Sequence, residues 1–178
     1  SSIYSIGEIK ALRREIKSSI NTDLKKITSK RKSICGLKFD QPQIMGVLNV
    51  TPDSFSDGGL FFDQSKAYEQ ASLMINDGAN IIDVGGESTR PGSKIVDSKE
   101  EWNRIKNIIV KIKKNFPNIP LSLDTRKSHV MEKGIECGVN VINDVSGLSF
   151  DSKSFDLINL KNIPFILHHM QGTPDIMQ

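Results

Sequence analysis

Three stretches decide the fold of this chain: NVTPDSFSDGG at residues 49–59, ESTRPG at residues 87–92 and NDVSG at residues 143–147. Each stretch is polar and contains glycine, and each directly follows a short apolar run of the kind that forms a buried strand. Polar loops therefore recur at the same end of successive strands. This arrangement is typical of a parallel α/β barrel, in which the loops at the carboxyl ends of the strands build the site.

Strand, loop and helix alternate from Gln43 onward. Apolar runs predict five strands, at residues 44–48, 79–84, 120–123, 139–142 and 163–167. Helical spacing predicts four intervening helices: one capped by Ser65 and ending at Gly78, one from a Ser98–Glu101 capping box to Pro117, and two at residues 127–136 and 153–160. Five strands with four crossovers suit a parallel sheet.

Periodicity alone leaves a doubly wound open sheet as an alternative to a barrel. The sequence has no G-x-G-x-x-G after the first strand and no G-x-x-x-x-G-K-[ST] anywhere. The phosphate-binding loops that would support a dinucleotide-binding or P-loop fold are therefore missing from the sequence.

The N-terminal segment differs from the rest in charge. Residues 1–38 contain 10 Lys/Arg against 3 Asp/Glu. Apolar residues at helical spacing predict one amphipathic helix before the polar stretch at residues 25–33; they are Ile9, Leu12, Ile16 and Ile20. We predict a basic helix or linker over residues 1–42 and a partial barrel domain over residues 43–178. No recognised nucleic-acid motif accompanies the basic residues, so we expect no nucleic-acid partner.

Length and composition bound the remaining possibilities. The chain has 178 residues, 37% of them hydrophobic, which suits one domain, whereas a complete eightfold barrel has about 250. It contains no apolar run of about 18 residues and no signal-peptide pattern, so we expect a cytoplasmic protein without membrane contact. The two cysteines, Cys35 and Cys137, are too few for a disulfide framework and do not have the spacing of a metal site. We therefore expect free structural thiols.

The three opening stretches, in the same order, resemble the signature of the dihydropteroate synthases, the folate-pathway enzymes that sulfonamides inhibit. The resemblance runs from about Gln43 to the end of the sequence. It implies a (β/α)8 barrel of TIM type, incomplete here, with about five strands and four crossover helices after an N-terminal amphipathic helix. It also implies a homodimer for the full-length protein.

The resemblance implies a reaction as well. The family joins the amine of p-aminobenzoate to 6-hydroxymethyl-7,8-dihydropterin pyrophosphate, and it releases 7,8-dihydropteroate and pyrophosphate. Mg²⁺ would neutralise the phosphate oxygens and take few protein ligands. By resemblance Asn49 is the metal ligand and Arg90 is an anion contact, with a guanidinium suited to phosphate. The alternatives are a turn-forming asparagine and a solvated arginine.

The same resemblance assigns the p-aminobenzoate subsite and the catalytic residues. Phe55, Thr89 and Pro91 would help to form that subsite, and Asp57 would organise the closed first loop near developing positive charge. Asp57 and Arg90 thereby join Asp124 as catalytic residues. The alternatives are ordinary packing for Phe55 and a simple turn for Asp57 with its two following glycines.

The pterin ring presents N–H donors and ring acceptors, which carboxylates and amides match. Asp124 and Asn143 end the third and fourth strands, and by resemblance both bind pterin, while Met170 packs on the pterin face. Asp124 could instead cap the helix that begins near Lys127. Roles for Asp83 and Asp144, which also lie at strand ends, stay open.

His168 and His169 follow the fifth strand as an adjacent pair. Neighbouring strand residues point to opposite faces and no third ligand has suitable spacing, so the pair predicts no metal site. His168 departs from the family pattern, in which an apolar residue is commoner at this position.

Two other functions stay in view. A pterin-dependent corrinoid methyltransferase could share Asp124 and Asn143 but would not need the loops at residues 49–59 and 87–92. A noncatalytic barrel fragment could act through an exposed sheet edge. The later family segments that contact pterin and pyrophosphate would fall beyond Gln178, so we expect the chain by itself to have little activity.

Overall fold

The structure is a computed structural model and describes residues 5–30, 32–51, 59–88 and 95–168. Two helices precede a regular alternation of strands and helices. In chain order the elements are α1 (Ile6–Ile9), α2 (Arg14–Thr28), β1 (Met45–Asn49), α3 (Gly59–Asn76), β2 (Ile81–Gly85), α4 (Ser98–Asn115), β3 (Leu121–Asp124), α5 (Ser128–Glu136), β4 (Val141–Asp144), α6 (Lys153–Lys161) and β5 (Phe165–Leu167).

The five strands form one parallel sheet in the order β1-β2-β3-β4-β5. The order along the sheet is the order along the chain, with no reversal among the described strands. A doubly wound sheet reverses its strand order at a switch point and carries helices on both faces. The observed sheet therefore confirms the barrel alternative, as a partial TIM-barrel-like α/β fold.

One face of the sheet packs against all four crossover helices. Its alternate residues Leu48, Val84 and Leu123 are fully buried, in one core that also contains residues of α3, α4, α5 and α6. Among the helical members, Ala71 comes from α3 and Ile109 from α4. Side chains alternate across a strand, so the residues between these apolar ones point to the opposite face of the sheet. That opposite face is the inner face of a barrel.

The amino-terminal end of the inner face is closed by a turn before β1. Leu37 packs with Ile81 and Val141 in a second, smaller core, and Cys35 lies against the same cluster. Cys35 and Gly36 both have positive φ, which allows Ile34 to bridge back to Leu37. Residues of the predicted N-terminal segment thus contact the sheet, and the division at residue 43 stays a prediction.

Two predicted helix caps were wrong. α3 begins at Gly59, so Ser65 lies inside the helix and does not cap it. The preference of serine for caps is a tendency, and it does not by itself locate a helix start. The cap of α4 is Asp97, whose carboxylate accepts from two backbone N–H groups of the first turn. The Ser98–Glu101 capping box does not form, because Ser98 is already the first helical residue and the carboxylate of Glu101 contacts Lys127.

The N-terminal segment forms two helices where the sequence predicted one. Ser5 and Glu8 make a capping box that begins α1, and Arg13 has an extended backbone that separates α1 from α2. α2 then continues through the predicted polar stretch to Thr28, and none of its residues is buried against the described part of the chain. Within the described residues, no helix is both long enough and apolar enough to cross a bilayer.

Candidate substrate-binding site

One row of the parallel sheet contains three of the predicted site residues. Asn49 pairs in register with Gly85, Gly85 with Asp124, and Asp124 with Asn143. Register partners on neighbouring strands point their side chains to the same face, and the strands lie about 4.8 Å apart. Asn49, Asp124 and Asn143 therefore meet on the inner face at the carboxyl end of the sheet.

Gly85 keeps a space open between two of these side chains. A Cβ atom at Gly85 would lie 3.4 Å from Oδ2 of Asp124 and 3.5 Å from Oδ1 of Asn49. Two oxygen atoms from different strands thus border the same small space. A carboxylate and an amide oxygen so placed can accept hydrogen bonds or contact a hard cation.

Asp124 is the one carboxyl group in this row, and its pKa is strongly raised. Burial raises its pKa, and the negative charges of Asp83, Glu101, Asp144 and Glu87 raise it further, to about 7. It does not cap α5: the first N–H of that helix, at Ser128, donates to Oδ2 of Asp151 at 2.9 Å. The predicted alternative role for Asp124 was therefore wrong, and the carboxyl group is left at the inner face.

Asp83 lies one inward-facing position before Gly85 on β2 and is 3% exposed. Burial raises its pKa, against the opposing effects of the Ser122 hydroxyl, the Asn143 amide and His168. Nδ2 of Asn143 donates to Oδ2 of Asp83 at 3.0 Å. Asp83, whose role the sequence left open, is thus a buried acceptor for a predicted pterin-binding side chain.

Asp144 follows Asn143 on β4 and therefore faces the other side of the sheet, where it has a different role. Its Oδ1 accepts from the backbone N–H of Ser146 at 2.8 Å and from the Ser146 hydroxyl at 2.7 Å. Its Oδ2 accepts from the N–H of Leu148 at 3.1 Å. Asp144 therefore fixes the loop after β4 and has its oxygens occupied by that loop.

A buried group of charges lies beside the site, where β2 and β3 end. Nζ of Lys127 is 3.0 Å from Oε2 of Glu87 and also contacts the carboxylate of Glu101. Nε of Arg126 lies 3.1 Å from the same Glu87 oxygen. Glu101 is 0% exposed and Glu87 is 6% exposed, so these ion pairs are shielded from water.

Glu87 also joins the two ends of the loop that follows β2. Its Oε1 accepts from the backbone N–H of Val96 at 3.0 Å, nine residues further along the chain. Burial alone would raise the pKa of Glu87, but the hydrogen bonds from Val96, Arg126 and Lys127 together lower it. Glu87 is therefore an ionised anchor at the base of the ESTRPG loop.

Six of the predicted site residues lie outside the described residues, and their roles stay predictions. They are Phe55, Asp57, Thr89, Arg90, Pro91 and Met170.

Sequence reasoning missed the Lys127 ion pairs and assigned Glu101 to a helix cap. The Arg126–Lys127 pair just after the third strand could have indicated a buried ion pair, because a cation beside a buried strand end needs an anionic partner. The partner's identity could not be read from the sequence, since Glu101 is 26 residues away.

Comparisons with known proteins identify the family of this chain. The family model described as "Pterin binding enzyme" matches residues 45–178. The dihydropteroate synthase of Clostridium beijerinckii is 49% identical over 130 residues, which cover 73% of this chain and 48% of that protein. The enzyme of the same name from Escherichia coli K12 is 44% identical over 142 residues, covering 80% and 50%.

Solved structures give the same result. Clostridium difficile dihydropteroate synthase, solved in the presence of pteroic acid, matches with a TM-score of 0.71 and 46% identity over 74% of this chain and 49% of that one. The Xanthomonas albilineans enzyme with 4-aminobenzoic acid matches with a TM-score of 0.74 and 38% identity, over 80% and 53%. The chain spans about half the length of the curated relatives it matches.

The Lys127 ion pairs generate a stability prediction. Lys127→Met leaves Glu87 and Glu101 without this cation, and breaking a buried pair by removing one partner costs about 3–5 kcal/mol. Denaturant unfolding should show this loss. Lys114→Met, at an exposed lysine near the end of α4, should change the free energy of unfolding by less than about 0.5 kcal/mol. The double variant Lys127→Met/Glu101→Leu should recover part of the lost stability, because it also removes the unpaired carboxylate. If stability is not recovered, an unpaired Glu101 is not the cause of the loss.

Asp124 generates a pH prediction. Its folded-state pKa of about 7 lies above the ordinary value of 3.8, so the folded state binds the proton more tightly than the unfolded state. The free energy of unfolding should therefore fall as pH rises from about 4 through 7, and Asp124→Asn should remove that part of the slope. Denaturant titrations of both proteins across this range measure the difference. Parallel pH profiles would contradict the proposed burial of a carboxyl group with raised pKa.

Proposed function

This chain belongs to the pterin-binding enzyme family, among the dihydropteroate synthases, and we propose that it carries part of the site for dihydropteroate synthesis. In that reaction the amine nitrogen of p-aminobenzoate attacks the methylene carbon of 6-hydroxymethyl-7,8-dihydropterin pyrophosphate. The carbon–oxygen bond to pyrophosphate breaks, and the amine loses a proton. The observation that carries the proposal is the single register row that holds Asn49, Asp124 and Asn143.

Asp124 and Asn143 supply the chemistry that a pterin edge requires. The carboxylate of Asp124 would accept from ring N–H groups, and the amide of Asn143 can donate and accept at once. Because burial and neighbouring negative charges raise the pKa of Asp124 to about 7, N–H donors of a ligand would stabilise the ionised form and take the place of lost solvation. A ligand lacking these donors would leave a buried carboxyl group unpaired, and the site would reject it.

The residues present fit a magnesium ion. Mg²⁺ keeps several waters and takes substrate phosphates with one or two protein oxygens. Oδ1 of Asn49 borders the open space at Gly85, 3.5 Å from the position that a Cβ atom would take there. Asn49 would hold the ion, and the ion would supply charge neutralisation for the pyrophosphate oxygens. Within the described residues no cluster of three or more His, Cys, Asp or Glu side chains could hold a metal ion. Asn49 is the donor we assign, on the family resemblance and on the position of its oxygen.

The ESTRPG loop and the first loop would supply the remaining contacts. Glu87 is fixed by Val96, Arg126 and Lys127, and from this base we propose that Arg90 contacts pyrophosphate. Thr89, Pro91 and Phe55 would form the p-aminobenzoate subsite, and Asp57 would organise the closed first loop. Met170 would pack on the pterin face. Closing loops of this kind exclude water and hold the two reactants in line.

The sheet edges favour a second possibility for the chain acting alone. β1 and β5 each pair with one neighbour in the described sheet, so each presents an open edge. Val47 on β1 is 53% exposed and Leu167 on β5 is 64% exposed. Unpaired edges with apolar side chains associate with other strands, which favours a fragment that binds a partner through its edge.

Calorimetry with pterin pyrophosphate and Mg²⁺ tests the proposed site. Asp124→Ala and Asn143→Ala should each weaken binding, by about 10- to 100-fold for the charged Asp124, because a hydrogen bond to a charged group contributes about 1.5–3 kcal/mol. Asp156→Ala and Asn159→Ala, at exposed positions of α6, are matched controls and should bind as the wild type does. Equal affinity in all five proteins would remove the pterin site from this row.

Turnover tests the second possibility. The 178-residue chain, given pterin pyrophosphate, p-aminobenzoate and Mg²⁺, should form dihydropteroate much more slowly than an intact relative under the same conditions, because the sheet formed by the described residues has two open edges. Release of pyrophosphate and formation of dihydropteroate are the two measurements. Turnover equal to that of the intact relative would contradict the expectation and support a competent enzyme.

A further inference from the structure

The side-chain amide of Asn143 is held at both ends. Its Nδ2 donates to Oδ2 of Asp83 at 3.0 Å, and its Oδ1 lies 2.8 Å from Nε2 of His168. The two partners come from β2 and from the residue directly after β5, on either side of β4. Asn143 itself is 8% exposed, so these contacts fix the orientation of a nearly buried amide.

The chemistry of the partners determines where the imidazole proton lies. A carboxylate only accepts hydrogen bonds, so the amide directs its NH₂ group toward Asp83 and its oxygen toward His168. An amide oxygen also only accepts. Nε2 of His168 must therefore carry a hydrogen atom, and it does so whether the ring is neutral or charged.

The main chain places His168 independently of this hydrogen bond. A Cβ atom at Gly147 would lie 2.6 Å from the carbonyl oxygen of His168, so the loop after β4 packs directly against the backbone there. That loop is fixed by the bonds from Ser146 and Leu148 to Asp144. The imidazole is thus brought to Asn143 by a packed backbone.

We propose that His168 is a positioning residue for pterin recognition, and this inference rests on the proposed function. Its Nε2–H holds Oδ1 of Asn143, while Asp83 holds Nδ2. The amide of Asn143 then keeps one N–H and one oxygen lone pair for a ligand. The amide cannot flip, because a flip would place its oxygen against the Asp83 carboxylate. A polar side chain at residue 168, where the family resemblance predicts an apolar one, is explained by this contact.

The first test observes the hydrogen bond without any ligand. Long-range ¹H–¹⁵N spectra of the ligand-free chain distinguish the two neutral tautomers of each histidine. We expect His168 to carry its proton on Nε2 almost exclusively in the wild type, and to shift in Asn143→Ala toward the tautomer mixture of a free imidazole, in which Nε2–H is only the major form. A proton on Nδ1 in the wild type, or a spectrum unchanged by Asn143→Ala, would overturn the proposal.

The second test measures the effect on binding. His168→Leu should weaken the affinity for pterin pyrophosphate with Mg²⁺ by about 3- to 10-fold, the size expected for one net hydrogen bond. His168→Gln can still donate to Asn143 and should recover most of the loss, whereas a role in packing alone would be served as well by leucine. His129→Leu, on α5 in the helical layer, is the matched control and should bind as the wild type does.

The outcomes separate the two proposals. If the wild type binds pterin pyrophosphate and His168→Leu binds equally well, His168 has no positioning role. If the wild type binds no pterin pyrophosphate, the proposed function fails, and the tautomer spectrum still decides whether His168 holds Asn143.

Discussion

The register of the parallel sheet is the constraint on which the rest of the structure depends. Asn49, Gly85, Asp124 and Asn143 lie in one row, so their side chains share one face. Side chains alternate along a strand, and a slip of one residue in any pairing would turn that strand's polar residue into the helical layer. The apolar face prevents such a slip, because Leu48, Val84, Leu123 and Ile142 would then leave the core.

The protein buries carboxyl groups in two different ways. Glu87 and Glu101 are paired with Lys127 and Arg126, and this charge balance fixes the base of a loop. Asp83 and Asp124, on the inner face, have raised pKa values: burial raises the pKa of Asp83, and burial together with neighbouring negative charges raises that of Asp124. The first arrangement is structural, whereas the second leaves carboxyl groups that a ligand with N–H donors would stabilise.

Much of the fold followed from local pattern. All five strands and the four crossover helices were predicted, since apolar runs and helical spacing are local properties. Helix starts were less predictable. Ser65 and Ser98 both have the chemistry of a cap, but α3 already begins at Gly59, and the cap of α4 is Asp97, one residue before Ser98. Residue type alone does not decide which side chain reaches the first free N–H groups of a helix.

By itself the sequence determined that Asn49, Asp124 and Asn143 lie at the carboxyl ends of the first, third and fourth strands, because strand ends are marked by the change from apolar to polar residues. Only the tertiary structure decided what surrounds them. Asp83 and His168 contact Asn143 across 60 and 25 residues of chain, and Lys127 finds Glu101 across 26. Such pairs depend on strand register and crossover geometry, and no local pattern encodes which buried charge or amide will face which partner.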